Sequence, residues 1–155
     1  MDTIELCKSL CKRITPEEWH ALECADSKLY INDHNRLALL EMREVGEGSN
    51  GANLNSRAVL GGESETGGDI DTSDAAALED ALQVFLDEYM AEAPEGHKWI
   101  ILASLYLTYV AKRPMHPIER AGVVVEERDG HTVYLCPNKV PGDNPICDAC
   151  VCVPA

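Results

Sequence analysis

The sequence predicts a mainly α protein: a multi-helix bundle with a small C-terminal β-hairpin and a cysteine-rich module. Three observations predict it. Apolar side chains recur at helical spacing over residues 4–45 and again over 72–112. The period then switches from 3.6 to 2 in "GVVVEERDGHTVYLC". Four of the seven cysteines fall in the closing stretch "YLCPNKVPGDNPICDACVC".

A chain of 155 residues suits one compact domain with a real core and a small appendage. Apolar residues make up 45% but aromatics only 5%, so the core must be mostly aliphatic. The net charge of −14 repels phosphate backbones and anionic membrane surfaces, which argues against nucleic-acid and membrane partners and leaves a protein partner open. The longest apolar run, "WIILASLYLTYVA", rises roughly 20 Å as a helix, short of the ~30 Å of a bilayer core. "MDTIELCKSLCKRITPEE" holds no apolar leader core. With an odd number of cysteines, this predicts a reducing, cytoplasmic location.

The first helix carries Ile4, Cys7, Leu10, Cys11 and Ile14 on one stripe, so Cys7 and Cys11 face the core as small hydrophobes. "TPEEW" starts the second, which is expected to run to about Tyr30. Thr15 caps, Pro16 fits the first turn and Glu18 completes a capping box. Asp33 caps the third, with Leu37, Leu40 and Val45 inward. His20 and His34, beside charged residues, read as solvated. Residues 46–72 keep no period and are rich in Gly, Ser, Asn and acid. They read as a mobile loop, with no glycine pattern that cradles a phosphate. Thr72 or Ser73 caps the fourth helix, whose inner stripe is Leu78, Leu82, Phe85 and Tyr89. The fifth, over about 96–112, is apolar nearly all round and therefore central, presenting Trp99, Leu102, Tyr106 and Val110. Pro114 ends it. The division is a helical domain over 1–113 and a hairpin and cysteine module over 114–155.

Asp129-Gly130 between β-branched runs is a hairpin turn. A two-residue turn pairs Arg128 with His131, Val125 with Tyr134 and Val123 with Cys136. His131 then lies at the tip and Cys136 at the open end, roughly 17 Å apart at ~3.4 Å per residue, so they cannot share a metal. His116, in "PMHPIE", enters from the open end. In "ICDAC", the Cys-x-x-Cys spacing of Cys147 and Cys150 aims two thiolates at one point. Cys136 folds back to them across a Pro/Gly-rich loop. The expected set is Cys136, Cys147, Cys150 and His116 around zinc, with Cys152 as the alternative fourth ligand. A zinc ribbon would carry a second Cys-x-x-Cys where "CPNK" has one cysteine. The same thiols suit an iron–sulfur cluster. A free Cys147/Cys150 dithiol and inert thiols are the other readings. The dithiol is disfavoured because no helical pattern follows Pro145. The chain has no nucleophile elbow, P-loop, dinucleotide fingerprint or H-E-x-x-H, so no catalytic or organic-cofactor residue is assigned. Lys139 and Glu119 read as solvated charges.

The features "LYLTYVAKRPMHP", the short strand pair, "YLCPNK" and "DNPICDACV" together resemble a family, the domain of unknown function numbered 2115. It is also called uncharacterised protein family 0305 and is seen mainly in methanogenic archaea. The resemblance covers about 98–151. It implies a mostly helical protein with a cysteine-containing end and supplies no function. Carried over by position, its pattern falls on His116, Pro117, Cys136, Pro137, Lys139, Cys147 and Cys150. Cys152 lies outside it, which favours His116 as fourth ligand, and "IERAGV" stands where the family has a glycine- and proline-rich segment. Two functions follow as expectations: a closed zinc site with a structural or protein-interaction role, or an iron–sulfur or metal-dependent enzyme or electron carrier.

Overall fold

The computed structural model describes residues 1–26, 28–47 and 70–155. Helix α1 (Thr3–Cys11) opens on a capping box that the sequence reading missed. The Asp2 carboxylate accepts from the Glu5 N–H at 2.8 Å, and the Glu5 carboxylate accepts from the Asp2 N–H at 2.9 Å. Helix α2 (Pro16–Glu23) has the expected box between Thr15 and Glu18. It stops well before Tyr30, because Ala25 turns left-handed at φ 53°. Helix α3 (Asp33–Glu47) is capped by Asn32, not Asp33, since the Asn32 amide oxygen accepts from the Asn35 N–H at 2.8 Å. Helix α4 (Thr72–Tyr89) is capped by Asp71, not by Thr72 or Ser73. A 3₁₀ turn (Pro94–Gly96) leads into α5 (His97–Tyr106), which continues as a π turn (Leu107–Ala111) and ends on left-handed Lys112, two residues before Pro114. Of the region expected as a loop over 46–72, Gly46 and Glu47 belong to α3 and Thr72 to α4. Ile70 is buried and donates its N–H to the Met1 carbonyl at 2.7 Å. Residues 48–69 lie outside the described residues.

Helix α5 is the central element, packed on α3 and α4. Trp99, Leu102 and Tyr106 are buried as expected, and Val110 is half-buried. Three helix faces differ from the sequence reading. On α1, Leu6, Cys7 and Leu10 are inside and Ile4 is out. On α3, Ala38, Leu39, Met42 and Val45 face the core, whereas Leu37 is exposed and Leu40 half-buried. The physical reason is Gly46: a Cβ there would lie 3.3 Å from the Cys7 Cβ, so α1 and α3 meet at the glycine, and that contact sets how α3 is rotated. On α4, Leu78, Leu82 and Leu86 are buried, while Phe85 and Tyr89 are exposed and stack on each other at 5.0 Å. Both aromatics sit one position off the buried leucine stripe. His20 is exposed, but His34 is half-buried against the Pro114–Met115 backbone, so its reading as a solvated side chain is corrected.

The buried Tyr106 hydroxyl donates to Glu41, which also accepts from Arg113 at 2.6 Å. This ties the end of α5 to α3 and fixes where the chain leaves the helical core. A short helix α6 (Ile118–Ala121) and left-handed Gly122 then turn it into β1 (Val124–Arg128). Strand β2 (His131–Cys136) pairs antiparallel with β1, with Arg128 opposite His131 and Val125 opposite Tyr134, as the turn predicted. Asp129 and Gly130 both have positive φ, at 52° and 81°, as a type I′ turn requires. The chain ends with α7 (Pro145–Ala149) and β3 (Val153–Pro154). The third strand was not foreseen. It lies parallel to β2, with Leu135 opposite Val153 and Cys136 opposite Pro154.

Candidate metal centre

The tail folds back because three local devices agree. The Asn144 amide oxygen accepts from the Ile146 N–H at 2.8 Å, and Pro145 fits the first turn, so a helix forms over Cys147. This corrects the expectation that no helix follows Pro145. Cys150 ends that helix in an extended conformation, which aims the next residues along β2. Lys139 then holds the crossing: its Nζ donates to the carbonyl oxygens of Cys150 at 2.9 Å and Cys152 at 2.6 Å. Lys139 is therefore a structural cation in use, not the solvated charge expected of it. Glu119 is exposed, as expected.

The result is a cavity of about 530 Å³ whose lining includes Cys136, Cys147, Cys150, Cys152 and His116. Every candidate ligand named from the sequence thus faces one space. His131 is exposed at the hairpin tip and is not part of the lining. Cys152 is buried, Cys136, Cys147 and Cys150 are half-buried, and His116 is exposed. All four thiols are free. Among the described residues, no three His, Cys, Asp or Glu side chains are drawn together into a group that could hold a metal ion. The donors share a cavity without being gathered at one point.

Burial pushes the Cys147 thiol above its ordinary pKa, and neighbouring Cys150 and Cys136 push it further. Cys152 is pushed up to about 12, first by burial and then by Cys150 and Cys136. Lys139 pulls both down without prevailing. At neutral pH these two thiols are protonated, and each ionisation opposes the next.

The sequence reading missed the contribution of Asn32, Arg120 and Asn138 to the cavity wall. The Asn138 side chain donates to the Ala121 carbonyl at 3.3 Å, which holds the loop after β2 against α6. That contact leaves no periodic trace in sequence, because it joins a loop residue to the end of a four-residue helix seventeen positions away. A family model described as an uncharacterized protein conserved in archaea, DUF2115, matches residues 54–154. The chain belongs to DUF2115. The DUF2115 match takes in every residue of the cavity wall except Asn32, and it includes Cys152, which the sequence reading placed outside the family's pattern. No curated protein and no solved structure matches the chain. No helix among the described residues is long and apolar enough to cross a membrane.

Proposed function

We propose that the thiols of Cys136, Cys147, Cys150 and Cys152 close around a zinc ion that organises the C-terminal module, in a structural or protein-interaction role. The observation that carries this reading is the convergence of four thiols from β2, α7 and the approach to β3 on one cavity. Cys152 is preferred over His116 as the fourth ligand because it is buried, whereas His116 is exposed. Raised thiol pKa values disfavour the dithiol alternative, since the thiolate is the reactive species. A divalent cation offsets the mutual repulsion of four thiolates and would hold their sulfurs at about 2.3 Å. Because the thiols are not gathered at one point, binding requires the module to rearrange around the ion. It is therefore coupled to local folding.

Elemental analysis of tag-free protein tests this. One zinc is expected per chain in wild type, His131→Ala and Cys7→Ser, and none in Cys150→Ser. Loss in Cys152→Ser but not His116→Ala supports the four-thiol set, and the reverse supports His116. Brown protein purified without air would replace zinc with an iron–sulfur cluster at the same thiols. Wild type that contains no metal and takes up none on reconstitution would overturn the reading.

A further inference from the structure

The cavity is far larger than an ion needs, and its lining includes groups of a different chemistry. A volume of about 530 Å³ lies within the ~300–1,000 Å³ range of small-molecule sites. The lining also includes Arg120 and His116, from the segment that leaves α5. Met115, Val123 and Ile146 add apolar surface to the same cavity. Such a site, mostly apolar with a few convergent polar groups, is the usual form of a small-molecule pocket.

The local charge runs against that of the chain. The net charge is −14, yet the nine residues "KRPMHPIER" hold three of the thirteen Lys and Arg residues and a histidine. Arg113 is already taken by Glu41 at 2.6 Å. Arg120 has no ion-pair partner among the described residues, and adjacent Glu119 does not line the cavity. Lys139 is committed to two backbone carbonyls. Among the described residues, the cavity-wall cation left without an ion pair is therefore the Arg120 guanidinium, whose planar fork of donors matches an oxyanion.

We propose that this cavity binds a small molecule bearing an oxyanion, a carboxylate or a phosphate, with that group between Arg120 and His116 and its carbon body over Met115, Val123 and Ile146. The site is separate from the metal reading: it uses none of the thiols and needs no ion.

The test is titration of full-length protein, as purified and after chelation, with inorganic phosphate in one arm and malonate in the other. The readouts are NMR shifts of the Arg120 side-chain N–H and the His116 ring. Saturable shifts of both groups are expected in wild type, in both metal states, and the probe that binds more tightly names the headgroup. Arg120→Gln should weaken binding by about tenfold or more, the scale of a lost charge-assisted hydrogen bond. Arg128→Gln, on the exposed hairpin, should change it by less than about twofold, as a control for net charge. Non-saturable shifts, or equal losses in Arg120→Gln and Arg128→Gln, overturn the proposal. If binding survives chelation in a protein that never holds zinc, the metal reading fails and this one stands.

Discussion

The Lys139 ammonium sits 2.6 Å from the carbonyl oxygen of Cys152 and also reaches that of Cys150, so one side chain pins the last strand to the loop after β2. These carbonyls belong to residues flanking the crossing, where the chain is neither helix nor sheet. Without Lys139 they would lose a charged partner, worth about 1.5–3 kcal/mol for a buried group and less for this half-buried one. Lys139→Met is expected to speed amide exchange over 150–155 by about tenfold or more and to leave α1 and α3 protected. Unchanged protection of Val153 would show that strand pairing alone holds the tail.

Gly46 governs the α1–α3 contact. In Gly46→Ala the new methyl would meet the Cys7 Cβ at 3.3 Å and backbone atoms of Cys7 and Lys8 at 3.4 Å, and backbone cannot step aside as a flexible side chain would. Alanine's better helix propensity, worth about 1 kcal/mol, is expected to be outweighed by strain of about 1–3 kcal/mol. A lower urea midpoint with unchanged slope checks this. A higher midpoint would mean that the helices separate without loss.

The two aromatic residues on α4 should matter little to stability. Phe85→Ser and Tyr89→Ser are expected to shift unfolding by no more than about 1 kcal/mol, since both residues are exposed. Leu86→Ala, at a buried position beside them, should cost about 2–5 kcal/mol. Equal losses at Phe85 and Leu86 in denaturant titrations would mean that the exposed face is covered in solution.

Alkaline pH should destabilise the helical core. Cys7 is pushed up to about 12, first by burial and then by Cys11 and Glu41, while an unfolded thiol titrates near 8.5. Protonated Cys7 therefore stabilises the fold fully below about pH 8.5, and that contribution is lost as pH rises toward the folded value. The fall in stability between pH 8 and pH 10 should be shallower in Cys7→Ala than in wild type. Identical slopes would assign the effect to other groups, such as Cys11, which burial raises to about 11.

Zinc affinity should move with pH in the opposite sense. Cys147 and Cys152 are protonated at neutral pH, so binding releases protons, and affinity should fall by up to about tenfold per proton released for each unit of acidification. Competition with a chromogenic chelator at pH 6 and pH 8 reads this directly. A pH-independent affinity would mean that the thiols are not the ligands.

Local chemistry was legible in the sequence. The Thr15/Glu18 capping box, the Asp129-Gly130 turn with its register, and the central burial of Trp99, Leu102 and Tyr106 are each set by residues within a few positions of one another, or by an apolar surface too wide to lie anywhere but inside. The spacing of Cys147 and Cys150 was legible for the same reason. Which face of α3 and α4 turns inward was not. Leu37, Phe85 and Tyr89 are as apolar as the residues that are buried, and rotation is decided by a neighbour, the close approach of Cys7 to Gly46 in the case of α3. The place of Cys152 was not legible either. Its burial depends on β3 lying parallel to β2 and on Lys139 reaching across to hold the tail, contacts between segments more than ten residues apart that carry no period. The sequence by itself determined the five main helices, the hairpin turn and the supply of thiols, because those follow from short-range sterics and hydrogen bonding. Only the tertiary structure decided that all four thiols and Arg120 share one cavity, because long-range packing sets which loop ends meet.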